Sequence, residues 1–293
     1  MSNLIRHVSA VVVLYKPESA KLIKITKLLS SLNIRCYLID NTPADQVNLF
    51  FFENLEAVYI QLGKNEGIAV AQNIGIKTAI QSGAKIIILL DQDSETNKEC
   101  LELQIQNIES NNSEISVPTL IDRQQGFEYP NGRVNRFGLL SKVYKTDKDN
   151  QFQIDVSISS GSVIAAKVFQ KVGYFEESLF IDYVDTEWYF RCWLNGVLVK
   201  CDPRAKMFHS IGEKSVRKFG VRTFVHSSER SYFKIRNPLK LIKFKTVPMA
   251  YVAKEIVASI CHSFVQIPLA NNPLSHIRYC LKGLKDGFCE LLS

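Results

Sequence analysis

Long apolar runs are missing from the 293-residue chain: Ile86 to Leu90 is typical, and the most apolar late segment, Tyr251 to Ala270, is broken by Lys254, Glu255 and His262. No membrane span is expected. The seven cysteines, Cys36, Cys100, Cys192, Cys201, Cys261, Cys280 and Cys289, form an odd set without a C-x-x-C pair, which speaks against a disulfide framework or a zinc site. Reduced, mostly buried thiols are expected instead. The end of the first apolar run, Leu14-Tyr15-Lys16-Pro17, lacks the G-x-G-x-x-G loop of a dinucleotide-binding dehydrogenase. Met1 to His7 offers neither a long apolar region nor a small-residue cleavage site, so a cytoplasmic chain without a cleaved signal is expected. Repeats and low-complexity tracts are also absent.

What is present is ordinary globular composition, with 46% hydrophobic and 22% charged residues. The net charge of +7 is unevenly spread: residues 204–293 hold 16 Lys/Arg against 5 Asp/Glu, and residues 1–203 hold 20 against 24. The two parts therefore carry +11 and −4.

The acidic part alternates β-rich runs with helical patterns. Val8 to Leu14 is a continuous apolar strand of the kind found in the middle of a sheet. Leu22, Ile25, Leu28, Leu29 and Leu32 then recur at helical spacing, and Cys36 to Ile39 is a second strand closed by Asp40-Asn41. Ala57 to Leu62 is a third strand, Ile68 to Gln81 a helix, and Lys85 to Leu90 a fourth strand ended by Asp91-Gln92-Asp93. Helices are expected over Thr96 to Ser110, Lys167 to Val172 and Thr186 to Asn195, with strands at Val163 to Ala165 and Leu198 to Cys201. Asp122 to Asn150 reads as a surface excursion. The alternation predicts an α/β fold with a mostly parallel sheet flanked by helices.

In such a sheet, ligands bind beyond the carboxyl ends of the strands, and here those ends carry Asp40, Asp91 and Asp93. If the chain stays extended, Asp91 and Asp93 share one side while Gln92 points the other way. Two carboxylates on one side suit Mg²⁺ or Mn²⁺, which leave positions open for phosphate oxygens. The preceding stretch, Gly63 to Gly75, places a glycine loop before a helix whose small residues permit close approach of a ligand or strand, and Asn65 and Asn73 supply directed hydrogen bonds.

With these residues in place, the chain resembles the family 2 glycosyltransferases of the GT-A fold, and more narrowly the bacterial rhamnosyltransferases of cell-surface polysaccharide synthesis. The likeness runs from Val8 to about Asn237 through Val11 to Tyr15, Gly63 to Gly75, Leu90 to Ser94, Ser160-Gly161-Ser162 and Asp182 to Trp188. It implies a Rossmann-like catalytic domain over 1–212, nucleotide-binding to about 95 and acceptor-binding from about 96, followed by a basic, mainly helical region over 213–293. By resemblance, Asp40 contacts the nucleotide base, with Leu14 and Tyr15 beside it, and Asn65, Asn73 and Asp91 belong to the nucleotide-sugar site. Asp91, Asp93 and His209 belong to the metal and diphosphate. Asp185 matches the general base, although Val184 stands where relatives commonly have Glu. Asp182, Glu187 and Trp188 fall on the acceptor side, where Trp188 either stacks on a sugar or packs. Alternatively, Asp185 caps its helix, whose macrodipole would lower its pKa.

The implied reaction is inverting transfer of a sugar, with dTDP-L-rhamnose as donor and a lipid-linked oligosaccharide as acceptor. Lys214, Arg217, Lys218, Arg222, Arg230, Lys234, Arg236, Lys240, Lys243 and Lys245, interleaved with aromatics, suit an anionic membrane surface or a lipid diphosphate, and a peripheral location at the inner face of the cell membrane. No nucleic-acid-binding signature accompanies them. A homodimer is compatible with the sequence. Two other readings stay open: a phosphohydrolase with Asp91 as nucleophile, and a non-enzymatic module binding an anionic surface or nucleic acid.

Overall fold

Val8–Leu14 (β1) is buried along almost its whole length because it lies inside an eight-stranded sheet, as its unbroken apolar run requires. The computed structural model describes residues 7–47, 52, 55–123, 126–144, 150–209, 215–218, 221–224, 227–270 and 272–292, with backbone alone at 209, 215–218 and 221–224. Ser19–Ser31 (α1) leads from β1 to Arg35–Asp40 (β2), and Val58–Gln61 (β3) pairs outside β2. Ile68–Gln81 (α2) then crosses to Ile86–Asp91 (β4) on the opposite flank of β1. These four strands run parallel in the order β3-β2-β1-β4, so the direction of winding reverses at β1. A crevice opens at such a reversal. The register sets Leu14 beside Asp40 and Val13 beside Asp91, which brings three strand ends together.

The second half contributes Lys98–Glu109 (α3), Ile115–Asp122 (β5), Asn131–Val134 (β6), Leu140–Val143 (β7) and Phe152–Ile154 (β8). Val163–Ala165 (β9), Ala166–Val172 (α4), Val184–Leu194 (α5) and Val199–His209 (β10) follow. The sheet continues β4-β9-β5-β10-β8, with β9 antiparallel to both neighbours, β10 parallel to β5, and β8 antiparallel at the edge. The fold is thus mixed α/β with a mostly parallel sheet, as expected.

Two strands exceed expectation. Pro118 would ordinarily exclude β5 from a sheet interior, but the register of β10 shifts between Asp202 and Lys206 opposite it, so the missing donor falls at a bulge. The same irregularity carries β10 past Pro203 to His209 instead of ending near Cys201. The surface excursion likewise has structure of its own, a β6/β7 hairpin. The basic region forms a hairpin, Ser215–Lys218 (β11) with Val221–Phe224 (β12), and then Ser228–Leu241 (α6), Met249–Gln266 (α7) and Pro273–Leu292 (α8).

Among the described residues no helix is long and apolar enough to cross a membrane. All seven cysteines are free; Cys261 and Cys289 are exposed and the others buried.

The small residues of α2 admit a strand. A Cβ on Gly75 would lie 2.3 Å from the Val11 side chain of β1, deep in the core. Gly75→Ala is expected to destabilise the protein by about 1–3 kcal/mol through overpacking, read from the denaturant midpoint at unchanged m-value.

Candidate active site

The chain does not stay extended beyond β4. The Ser94 amide donates to the Asp91 carbonyl at 3.1 Å, and the Asp91 amide donates to Ser94 Oγ at 2.9 Å, closing a turn over Asp91-Gln92-Asp93-Ser94. Gln92 is turned toward β1, where its amide group donates to the Tyr15 carbonyl (3.1 Å) and accepts from the Tyr15 amide (2.7 Å). Asp91 and Asp93 still face one cleft of about 470 Å³, which Leu14, Tyr15, Asn65 and Arg230 also line.

A second cavity of about 410 Å³ is lined by Lys16, Asp40, Thr42 and Phe52. Asp40 is fully buried at its wall, accepting hydrogen bonds from the Thr42 amide and the Tyr59 hydroxyl, each at 2.8 Å. Burial, with the carboxylate beside it, raises the pKa of that phenol.

The glycine loop lines the first cleft through Asn65 and Gly67. Asn65 accepts from the Gly67 amide at 3.1 Å, while Asn41 accepts from the Glu66 amide and donates to the Gly67 carbonyl, both at 3.1 Å. Gly67 has φ +89°, and a Cβ there would lie 2.6 Å from the Phe180 ring. Only glycine meets both conditions.

Phe180 belongs to a strained segment. It has φ 65° and ψ −65°, the centre of a γ-turn closed by the Ile181 amide on the Leu179 carbonyl at 2.8 Å, and Asp182 and Tyr183 follow at φ 60° and 63°. Each such residue costs about 1–3 kcal/mol and persists only where its surroundings over-determine it. Helix α6 supplies those surroundings. Asn237 Nδ2 lies 2.7–3.0 Å from the carbonyls of Leu179, Ile181 and Asp182, and the Arg236 guanidinium donates to those of Ser178 and Leu179. Arg230 grips the Asp182 carboxylate through two hydrogen bonds of 3.0 and 3.1 Å, and Phe233 stacks on Phe180 with centroids 4.7 Å apart.

The segment delivers Asp185 as the second residue of α5. Tyr183 holds the N-cap position in the left-handed region, so Asp185 is no cap. Burial pushes its carboxyl up to about 6; the Ser159 hydroxyl and amide, which hydrogen-bond it, pull the other way, and the negative charges of Asp91 and Asp182 add to the rise. The net shift is upward, opposite to the lowering expected of a helix cap. Ser159 is held in turn by Gln72, whose Nε2 donates to its Oγ at 3.0 Å.

Three expected site residues are scaffold. Glu187 is buried and chelated by Arg191 through contacts of 2.8–3.0 Å, which leaves it no access to an acceptor. Trp188 is fully buried, stacked on Phe169 with its indole N–H on the Gly173 carbonyl, and so packs instead of stacking on a sugar. Asn73 is buried and clamps the chain at Phe175 and Glu177. The fold takes up part of the basic stretch: no residue from 230 to 242 is exposed, whereas Lys243 and Lys245 are.

The His209 side chain, residues 210–214 and the side chains of Arg217, Lys218 and Arg222 lie outside the described residues. The backbone nonetheless ties Phe208 to Glu95 by a pair of hydrogen bonds of 2.9 and 3.1 Å, two residues beyond Asp93. Gln72, Gln92, Asn41 and Asn237 were not singled out in the sequence; single amides carry no periodic signal.

A switch-point cleft lined by two carboxylates on one turn, with a desolvated aspartate close enough to feel the charge of one of them, suits a group-transfer enzyme of the α/β class. Residues 9–173 match the family model Glycosyl transferase family 2. The chain belongs to that family and is a glycosyltransferase, which sets aside the phosphohydrolase and non-enzymatic readings. It is 36% identical over 286 residues to dTDP-rhamnosyl transferase RfbF of Shigella flexneri, covering 96% of this chain and 95% of that one. It is 24% identical over 159 residues to the low-salt glycan biosynthesis hexosyltransferase Agl10 of Haloferax volcanii, covering 53% and 52%. Two solved structures share the fold alone. GalNAc-T7 with UDP, GalNAc and Mn²⁺ gives a TM-score of 0.59 at 15% identity over 94% of this chain, which spans only 56% of that one. TarS 1-349 of S. aureus in complex with UDP-GlcNAc gives 0.57 at 17% identity, covering 97% and 81%.

Because Ser159 stabilises the charged form of Asp185, its removal raises the aspartate's pKa further. Transfer is expected to fall as pH drops through about 6. In Ser159→Ala the acid limb of the pH–rate profile is expected to move upward by about one pH unit, with the plateau recovered in alkali.

Proposed function

We propose that the chain transfers L-rhamnose from dTDP-L-rhamnose, with inversion, to a hydroxyl of a lipid-linked oligosaccharide during synthesis of a cell-surface polysaccharide. The observation that carries the chemistry is Asp185, desolvated, held by Ser159, and close enough to Asp91 to feel its charge. The likeness to a dTDP-rhamnosyl transferase along nearly the whole of both chains supports the donor.

The acceptor oxygen attacks the anomeric carbon from the face opposite the leaving group. The bond from that carbon to the diphosphate breaks, the diphosphate departs with the electron pair, and the hydroxyl proton passes to Asp185. A carboxyl with a pKa of about 6 is ionised at neutral pH yet more basic than an ordinary aspartate, as this step requires.

The donor set of the cleft fits a hard divalent cation. Asp91 and Asp93 offer oxygen ligands from one turn, and phosphate oxygens of the donor would complete the coordination. Mg²⁺ or Mn²⁺ bound there would neutralise charge on the diphosphate. Asp40, at the wall of the neighbouring cavity, would meet the nucleotide base, with the Tyr15 backbone, fixed by Gln92, beside it.

Calorimetric titration with dTDP-, UDP- and GDP-sugars, each with Mg²⁺ and with a chelator, tests the donor. dTDP-L-rhamnose is expected to bind in the metal-containing arm alone, and tighter binding of another donor would overturn the sugar assignment. Asp185→Asn is expected to lower transfer by about 10²–10⁴-fold at unchanged donor affinity. Full transfer by that variant would overturn the base assignment.

A further inference from the structure

Helix α8 packs on α6 through glycines: a Cβ on Gly283 would lie 2.6 Å from the Tyr232 carbonyl oxygen, and one on Gly287 would lie 2.7 Å from Leu239. Its two acidic residues face the same way. Asp286 accepts from the Tyr232 hydroxyl at 2.9 Å, and Glu290 pairs with Lys240 at 2.7 Å. The outward face is left to apolar side chains. Leu274, Leu281, Phe288 and Leu292 are 80%, 61%, 54% and 89% exposed, and with Ile277 they fall within about 60° of arc at 100° per residue. Exposed Arg278, Lys282 and Lys285 fill the adjoining arc of about 60°.

We infer that this face of α8 rests on an anionic lipid bilayer, its apolar stripe in the acyl boundary and its three cations among the lipid phosphates. An apolar stripe on a surface monomer calls for a partner, and the flanking charge selects which. Two copies joined along the stripe would bring their cationic flanks together, with both carboxylates of the helix already committed to α6. A surface of negative charge has no such conflict. Membrane contact is assigned to α8, since the α6 cations Arg230, Lys234, Arg236 and Lys240 are buried or half-buried. The inference extends the lipid-linked acceptor of the proposed function, but its test involves no sugar, so either can fail alone.

The full chain is sedimented at low salt with vesicles of phosphatidylcholine alone or mixed with phosphatidylglycerol, beside a Leu281→Glu/Phe288→Glu variant. Both substituted positions are exposed, so unchanged circular dichroism and unchanged nucleotide binding are expected. The native chain is expected to sediment with the mixed vesicles and not with phosphatidylcholine, and the variant to bind the mixed vesicles at least about tenfold more weakly. Failure of the native chain to sediment, or equal sedimentation by the variant, overturns the inference. So does a native dimer in analytical ultracentrifugation that the variant converts to monomer, since the stripe would then be covered by a second copy.

Discussion

Four consecutive residues, Ser159-Ser160-Gly161-Ser162, hold the parts of the candidate site in register by tying together α5, α2, β4 and the turn that follows β4. Ser159 bonds Asp185 and is fixed by Gln72. Ser160 Oγ lies 2.8 Å from Ser94 Oγ and so supports the turn that carries Asp91 and Asp93. The Gly161 amide donates to the Leu89 carbonyl at 2.7 Å, and Ser162 Oγ lies 2.8 Å from the Tyr189 hydroxyl on α5. At φ +83°, with a Cβ that would fall 2.8–2.9 Å from Met207 and Pro118, Gly161 admits no other side chain. Asp185, the proposed base, and the carboxylate pair are therefore referenced to one short segment leading into β9, the strand between the two halves of the sheet. The displacement proposed above needs geometry of this kind, because nucleophile, base and leaving group must be aligned before the barrier is crossed.

The second dependence runs through the C-terminal helices. Three successive contacts from α6, at Arg230, Arg236 and Asn237, hold a backbone that its own residues disfavour at Phe180, Asp182 and Tyr183. The same segment closes over Gly67 and leads straight into Asp185. Most of the charge excess of residues 204–293 gives no hint of this, yet the cations nearest the site neutralise an acidic side chain or cap carbonyls.

The reach of sequence reasoning follows the physics of each feature. β1, α2 and β4 were legible because a continuous apolar run or a helical repeat is a property of many residues at once. Asp40, Asp91 and Asp93 were legible as strand ends. β5 was hidden by Pro118, since the bulge that accommodates it lies on another strand. Trp188, Glu187 and Asn73 were misplaced for one reason: a motif locates a residue in the chain but not the direction of its side chain, and all three point into the core. Gln72, Gln92 and Asn237 act by one or two hydrogen bonds across long stretches of chain, which leave no pattern to read.

Asp185 shows how the site's charge serves two ends at once. Asp91 and Asp182 together make its surroundings negative, while Arg230 is drawn to Asp182 and compensates only in part. A negative pocket favours a cation between the cleft carboxylates, and it also strengthens a neighbouring aspartate as a base. The cost falls on the fold. With a carboxyl near 6 in the folded chain against 3.8 as its ordinary value, the native state holds this proton more tightly than the unfolded chain does. Its contribution to stability therefore declines as pH rises through that window, the reverse of an ion-paired aspartate. At neutral pH, where Asp185 must be ionised to serve as the proposed base, the site is destabilising, and the buried sheet and the α6 clamp offset it.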